Sequence, residues 1–414
     1  MGPHGNVPGT PPVDDSHPAR WRVLALLSVA QLLGISLWFA ASAVSAQYRD
    51  VWGLTASEAA WLTTIVQLGF VAGTALSAVL NLADIVPARR LFGVSAAAGA
   101  LANALVLTAD GFGAALVWRF VTGMCLAGVY PPAMKMVSTW FRVRRGVAIG
   151  TLIGALTFGK AMPYLVHALP GAGIRPVGVA ASLGALCAAA LVWVGYRDGP
   201  YPFPPRAFSW GLAGEVVRQR RWRLATGGYL GHMFELYSAW TWLPVFVAAS
   251  IAVSGTGGEA SGRIASLIAF SALAIGGAGC VWGGIVGDRR GREWLAAVAM
   301  AASGTCAILI GFAFGQSLWI LVPIALAWGF FVVADSAQFS VLVTESVPGH
   351  AVGTALTLQV CLGFLLTVVT IQLVPPVADA IGWRWAFAFL ALGPAAGIWS
   401  IRRLAAVKRS AAAS

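Results

Sequence analysis

The sequence predicts an all-α integral membrane fold, with twelve transmembrane helices in two pseudo-repeated six-helix bundles. Three observations predict it. Apolar residues make up 58% of the 414-residue chain and charged residues only 10%, with a mean hydropathy of +0.79, whereas a soluble domain carries roughly 25% charged residues. Twelve apolar stretches follow one another, each near the ~20 residues that a ~30 Å hydrocarbon core demands of a helix. The second six stretches also echo the first six in order. Trp118-Arg119-Phe120 is answered by Trp328-Gly329-Phe330, Ile149-Gly150-Thr151 by Val352-Gly353-Thr354, and Gly173-Ile174-Arg175 by Gly382-Trp383-Arg384, at offsets of 210, 203 and 209 residues.

The stretches fall at 23–46, 57–82, 91–109, 113–139, 146–169, 175–196, 224–250, 264–286, 293–314, 317–343, 351–376 and 384–402. Helix is the expected state of each, because backbone groups in lipid must be paired within their own segment. The implied organisation is a disordered tail at 1–19, a first bundle at 20–196, a linker at 197–222, a second bundle at 223–403 and a short tail at 404–414. The first tail is rich in Pro, Gly and His, and no signal-peptide cleavage site follows the first apolar run. The linker opens Arg197-Asp198-Gly199-Pro200 and continues through Pro202, Pro204 and Pro205, which block helix. From Trp210 to Trp222 it alternates apolar and basic residues, the pattern of an amphipathic helix on a membrane surface.

A net charge of +12 suggests nucleic acid, but its distribution argues for topology instead. With the N-terminus inside, inner loops and tails hold 20 of the 27 basic residues, outer loops hold four (Arg49, Arg175, Arg263 and Arg384), and Arg119, Lys135 and Lys160 lie within spans. That excess places both termini in the cytoplasm of an inner, plasma-type membrane, with lipid as the surrounding partner. Cys125, Cys187, Cys280, Cys306 and Cys361 all lie inside spans, odd in number and without metal-type spacing, so neither disulfides nor a zinc site is expected. Loops are short, and no two-His metal motif, nucleophile elbow or phosphate loop occurs. An enzyme is therefore not expected, nor a cofactor or resident metal.

Between the eighth and ninth stretches lies Gly284-Ile285-Val286-Gly287-Asp288-Arg289-Arg290-Gly291-Arg292. It resembles the G-x-x-x-D-R-x-G-R loop of the major facilitator superfamily. The loop between stretches two and three keeps Asp84, Arg89 and Arg90 without the glycines. Arg119-Phe120-Val121-Thr122-Gly123 resembles the R-x-x-x-G fourth helix of the superfamily. Gly128, Pro131, Trp140-Phe141 and Arg144-Arg145-Gly146 are similar to its organic-anion symporters. The resemblance implies a monomeric secondary transporter that moves a small molecule by alternating access. It also implies that Asp84, Arg89, Arg90, Asp288, Arg289 and Arg292 act as a charge-assisted latch between conformations. Parallel repeats of this kind hold substrate between the halves, near the bilayer midplane.

Ionisable residues at bilayer depth cost ~2.5–3.5 kcal/mol each on insertion scales, so they are functional candidates. Counting ~1.5 Å per residue, Lys160 lies roughly 21 Å outward along the fifth helix and Arg119 roughly 9 Å inward along the fourth, at similar depth. The pair is expected to form an anion site in the first half. Arg119 alternatively joins helices within that half, Lys160 alternatively neutralises a carboxylate across the cavity, and Lys135 snorkels to the interface. On the other half, Glu235 and Asp335 fall near the midplane. Burial disfavours an ionised carboxylate and a cation favours it, a competition suited to taking up a coupling proton. His232, one turn before Glu235, suits a proton relay or a structural hydrogen bond. Gln31, Trp38, Tyr237 and Trp240 are expected to face substrate, with Tyr229 and Trp242 near them. The alternative to import of small anions is proton-driven export of cationic or amphipathic compounds.

Overall fold

The computed structural model describes residues 17–141, 145–201, 209–255 and 260–413, apart from the side chains of 83, 84, 145, 210 and 411–413. Among the described residues it is helical with no strand. Eleven helical segments are long and apolar enough to cross a membrane. In chain order, counting a shorter helix after the second, they are α1 (Arg20–Ala43), α2 (Ala56–Val79), α3 (Ala88–Val106), α4 (Phe112–Ser138), α5 (Arg145–Ala168), α6 (Ile174–Gly195), α7 (Arg220–Val253), α8 (Ser261–Arg290), α9 (Arg292–Phe312), α10 (Leu318–Thr344), α11 (Val352–Ile381) and α12 (Trp383–Ser410). The shorter helix, α3, stands where the third span was expected; it opens with Arg89 and Arg90 and packs against α4 and α6.

Within each half the helices pack side by side. Between halves, α5 lies along α8 and α2 along α11. Glycine sets these close approaches. Gly154 of α5 and Gly277 of α8 face each other, and a Cβ on Gly154 would come 3.2 Å from the Gly277 carbonyl oxygen. Small residues at such crossings are the usual device where lipid offers no hydrophobic drive to association. In the second half Gly231 of α7 meets the backbone of α12, where a Cβ would lie 2.6 Å from the Gly397 Cα.

Among the described residues four spans are interrupted, the twelfth by 3-10 turns at Trp383–Trp385 and Ala388–Ala391. The first turns through a 3-10 segment at Ser36–Phe39. The fourth restarts at Tyr130, where Pro131 and Pro132 suit the first turn of a helix. The tenth divides at Asp335, between helices Leu318–Ala334 and Ser336–Thr344. The linker helix spans Trp210–Arg218 and stops before the expected Trp222. Gln219 is extended, and Trp222 belongs to α7, buried, donating its indole N–H to the Ala355 carbonyl at 3.2 Å. The last helix also runs past the expected boundary, to Ala413. Lys408 secures it, pairing with Glu293 at 2.7 Å and Glu345 at 2.9 Å.

The glycine contacts give a direct test. Gly231→Ala is expected to cost about 1–3 kcal/mol by overpacking and to lower the thermal unfolding midpoint in detergent. Gly284→Ala, where a Cβ would meet nothing within 4 Å, is expected to leave the midpoint unchanged.

Candidate functional site

A cavity of about 100 Å³ lies between the halves, walled by Trp38 of α1, Tyr130 of α4, Lys160 of α5, His232, Tyr237 and Trp240 of α7, Ser336 and Ser340 of α10 and Phe364 of α11, with others. Lys160 is 4% exposed. Its ammonium sits over the rings of Trp38 at 4.3 Å, Tyr237 at 4.6 Å and Trp240 at 5.3 Å, and it donates to the Tyr237 hydroxyl. Three π faces attract a desolvated cation. No carboxylate pairs with it among the described residues. The indole N–H groups of Trp38 and Trp240 are buried without a partner. Around the ammonium, then, this end of the cavity offers donors and no carboxylate.

Arg119 is fully buried but does not line the cavity. Its guanidinium donates to the carbonyl oxygens of Leu37 at 2.9 Å, Trp38 at 2.6 Å and Leu62 at 3.1 Å, and to Asn103 Oδ1 at 3.4 Å. The expected two-cation arrangement is therefore replaced by a different one. Arg119 grips the backbone of the 3-10 turn from one side, and the Trp38 ring of that turn meets Lys160 on the other. Planar, five-donor arginine suits such multidentate work.

The two membrane carboxylates separate in the same way. Glu235 points into its own bundle, accepting from Trp328 Nε1 at 2.6 Å and Ser303 Oγ at 2.7 Å. Asp335 lies behind the cavity wall. Its Oδ1 is 2.9 Å from His232 Nδ1, a contact that is ionic only when the imidazole is protonated. His232 Nε2 is 3.0 Å from Ser336 Oγ. Asp335, His232 and Ser336 thus form a chain from the bundle interior to the cavity. Gln31 is buried, with both amide atoms unpartnered, but is not part of the cavity lining; Tyr229 is part of it, and Trp242 instead donates to the Ile371 carbonyl at 2.9 Å.

An aromatic layer roofs the cavity on the side away from the termini. Trp38 packs on Phe70 at 5.0 Å, Phe364 at 5.5 Å and Tyr237 at 5.8 Å, and Phe39 on Tyr164 at 6.0 Å. Among the described residues, four further side-chain hydrogen bonds cross between the halves at that level or farther out. Tyr164 donates to the Trp240 carbonyl (3.3 Å), Gln372 to Thr64 (3.1 Å) and Arg263 to the Ala168 carbonyl (3.0 Å), while His167 pairs with Ser266 (2.7 Å). Sequence reasoning missed Tyr130, Ser336, Phe364 and Tyr164. Only Ser336, adjacent to Asp335, carried a readable signal.

Of the expected latch, Asp288 and Arg292 approach to 3.6 Å within one turn, and Arg292 also meets Glu345 at 3.3 Å. Both contacts stay within the second half. The Asp288 carboxylate faces the start of α5, where a Cβ on Gly146 would lie 3.5 Å from Oδ2. Arg289 and Arg290 are exposed and border a groove with Trp282 and Trp294. The Asp84 side chain lies outside the described residues; Arg89 and Arg90 sit at the start of α3.

The sequence profile of the Major Facilitator Superfamily matches residues 26–371. The chain belongs to this superfamily. The superfamily's transporter fold accounts for the broken, apolar spans around one central cavity. A bacterial homologue of the human lysosomal transporter Spinster, solved inward-facing and unoccupied, is similar over 94% of this chain and 96% of its own, at 15% identity and TM-score 0.70. A mutant of the nucleoside transporter NupG is similar over 92% of this chain and 99% of its own, at 13% identity and TM-score 0.70. At these identities the likeness is one of fold. No curated protein matches the sequence.

The two buried cations predict opposite behaviour. Arg119→Leu strands three backbone carbonyls in apolar surroundings and is expected to cost at least about 2 kcal/mol, read as a lowered unfolding midpoint. Lys160→Met removes an uncompensated charge and is expected to leave that midpoint unchanged or raise it.

Proposed function

We propose that this chain is a secondary transporter of a small organic monoanion, coupled to a proton and working by alternating access. The observation that carries the proposal is the Lys160 ammonium, buried in an aromatic cage without a carboxylate partner. An anionic substrate supplies the missing counter-charge. Its carboxylate also meets the free N–H groups of Trp38 and Trp240, charge-assisted and desolvated. Size narrows the class. A cavity of about 100 Å³ is smaller than the ~150 Å³ that accommodates benzene, so the substrate has about six non-hydrogen atoms or fewer. A nucleoside, the substrate class named for one fold neighbour, is too large for this state of the cavity. The aromatic wall suits a short apolar body behind the carboxylate.

Export of a cationic compound requires an unshielded carboxylate on the cavity wall. Glu235 and Asp335 do not line it, and the charge that does is positive. The proton is assigned to Asp335, reached through Ser336 and His232. The excess of basic loop residues on the side of the termini supports cytoplasmic termini in an inner membrane. The cross-half bonds among the described residues then tie the outer side, which supports an inward-facing state.

Two experiments test this reading. Purified protein in detergent, titrated with acetate, propionate and lactate, is expected to be stabilised as RT ln(1 + [L]/Kd). Lys160→Ala should remove at least about tenfold in affinity for the central site; undiminished anion binding overturns the assignment. In proteoliposomes, Asp335→Asn is expected to abolish proton-driven accumulation while preserving exchange of labelled for unlabelled substrate. Full pH-driven uptake by that variant removes Asp335 from the coupling step.

A further inference from the structure

A second, larger cavity of about 300 Å³ lies beyond the aromatic layer, at the end of the bundle away from the termini. It is bounded by α1 and the short helix Ser45–Trp52 that follows it, by α2 and α5 of the first half, and by α7 and α8 of the second. Among the described residues that line it, Arg49 is the charged side chain and His167 the other ionisable group, and none is acidic. The Arg49 side chain makes one long contact, Nε to the Leu54 carbonyl at 3.4 Å, and its two terminal nitrogens are uncommitted among the described residues. His167 is oriented by the Nδ1 contact with Ser266 at 2.7 Å, which leaves Nε2 for a ligand. Thr241 and Ser45 add hydroxyls to the same wall.

The two cavities are stacked along α7. Tyr237 and Trp240 wall the central one, and Thr241 and Trp242 wall the outer one. The aromatic layer separates them, and Trp240 and Thr241, which wall one cavity each, are neighbours in sequence. We infer that the outer cavity is a second, lower-affinity anion site, holding a small carboxylate between Arg49 and His167 before or after it visits Lys160. The inference rests on the reading of Lys160 as the central anion site. Its threefold larger volume admits the carboxylate with part of its hydration shell. Arg49 is exposed, so its attraction is screened and salt-sensitive, unlike that of the buried ammonium. Arg263 adds positive potential nearby, its Nε holding the carbonyl of Ala168, the residue after His167.

Equilibrium dialysis of the full chain in detergent against radiolabelled lactate tests this. The wild type is expected to bind two equivalents, one tight and one weak, the weak one lost on raising the salt. Lys160→Ala is expected to keep the weak equivalent alone, and Lys160→Ala with Arg49→Gln to bind none. Arg49 is exposed, so its replacement leaves the fold intact, which the unfolding midpoint checks. A wild type with one equivalent, lost entirely in Lys160→Ala, overturns the outer site and leaves the central one standing. Weak binding that survives the double substitution overturns the placement at Arg49. A wild type that binds no lactate overturns both sites.

Discussion

A charge removed from water at bilayer depth must be answered by the protein, and this chain answers its two buried cations in opposite ways. Arg119 is answered completely. Four acceptors from three helices meet its guanidinium, and three of them are backbone carbonyls. Such carbonyls cannot move away without unfolding a turn, so the arginine fixes the break in α1 and with it the position of Trp38. Lys160 is answered only by π faces and one hydroxyl. These stabilise a cation without neutralising it. The first arrangement makes a rigid scaffold, and the second leaves an electrostatic demand that the proposed anion would answer.

The aromatic roof owes its cross-half seam to a proline. Pro244 lies inside α7 and has no N–H for the carbonyl four residues back, that of Trp240. Tyr164, from the other half, donates to that carbonyl instead. A backbone acceptor left over by helix chemistry thus becomes a contact between halves, at the level where the two cavities are divided. Opening that side exchanges this bond, and those of His167, Arg263 and Gln372, for bonds to water. Each is worth little net in an aqueous path. On the proposed reading, the halves part there at low cost, as a reversible gate requires.

Much of the fold was legible because hydrophobic run length and repeat order are one-dimensional properties. The spans follow directly from them, while the Pro-rich stretch at 202–208 lies outside the described residues. Boundaries shifted where a particular side chain found a partner that composition does not reveal, as Trp222 did on Ala355 and Lys408 on Glu293 and Glu345. The site was half legible. A span is a poor place for a charge, so Arg119, Lys160, Glu235 and Asp335 all stood out. Depth along a helix could be counted, but rotation about its axis could not. Rotation is what turns Arg119 and Glu235 into their own bundles while Lys160 faces the cavity. The 3-10 turn at Ser36–Phe39 and the break at Asp335 also change which residues share a face, beyond the reach of a regular period.

Charge bookkeeping explains why such a site would couple its substrate to a proton. The buried Lys, Arg, Asp and Glu side chains among the described residues are Arg119, Lys160, Glu235 and Asp335, two of each sign. With all four ionised, the empty bundle is electroneutral inside. On the proposed reading, an anion bound at Lys160 alone leaves one negative charge in excess, and a proton on Asp335 alone leaves one positive charge in excess. Either half-loaded state must rearrange with uncompensated charge in a medium of low effective dielectric, where each such charge is expensive. The empty state and the doubly loaded state carry no net charge, although Lys160 lacks a local partner in the first. Both can rock between the two faces at comparable cost, and the half-loaded states cannot. α7 carries both ends of this arrangement, His232 towards Asp335 and Tyr237 towards Lys160, five residues apart in sequence. Stoichiometric coupling then needs no mechanical link beyond one helix, because the neutrality of the cavity does the selecting.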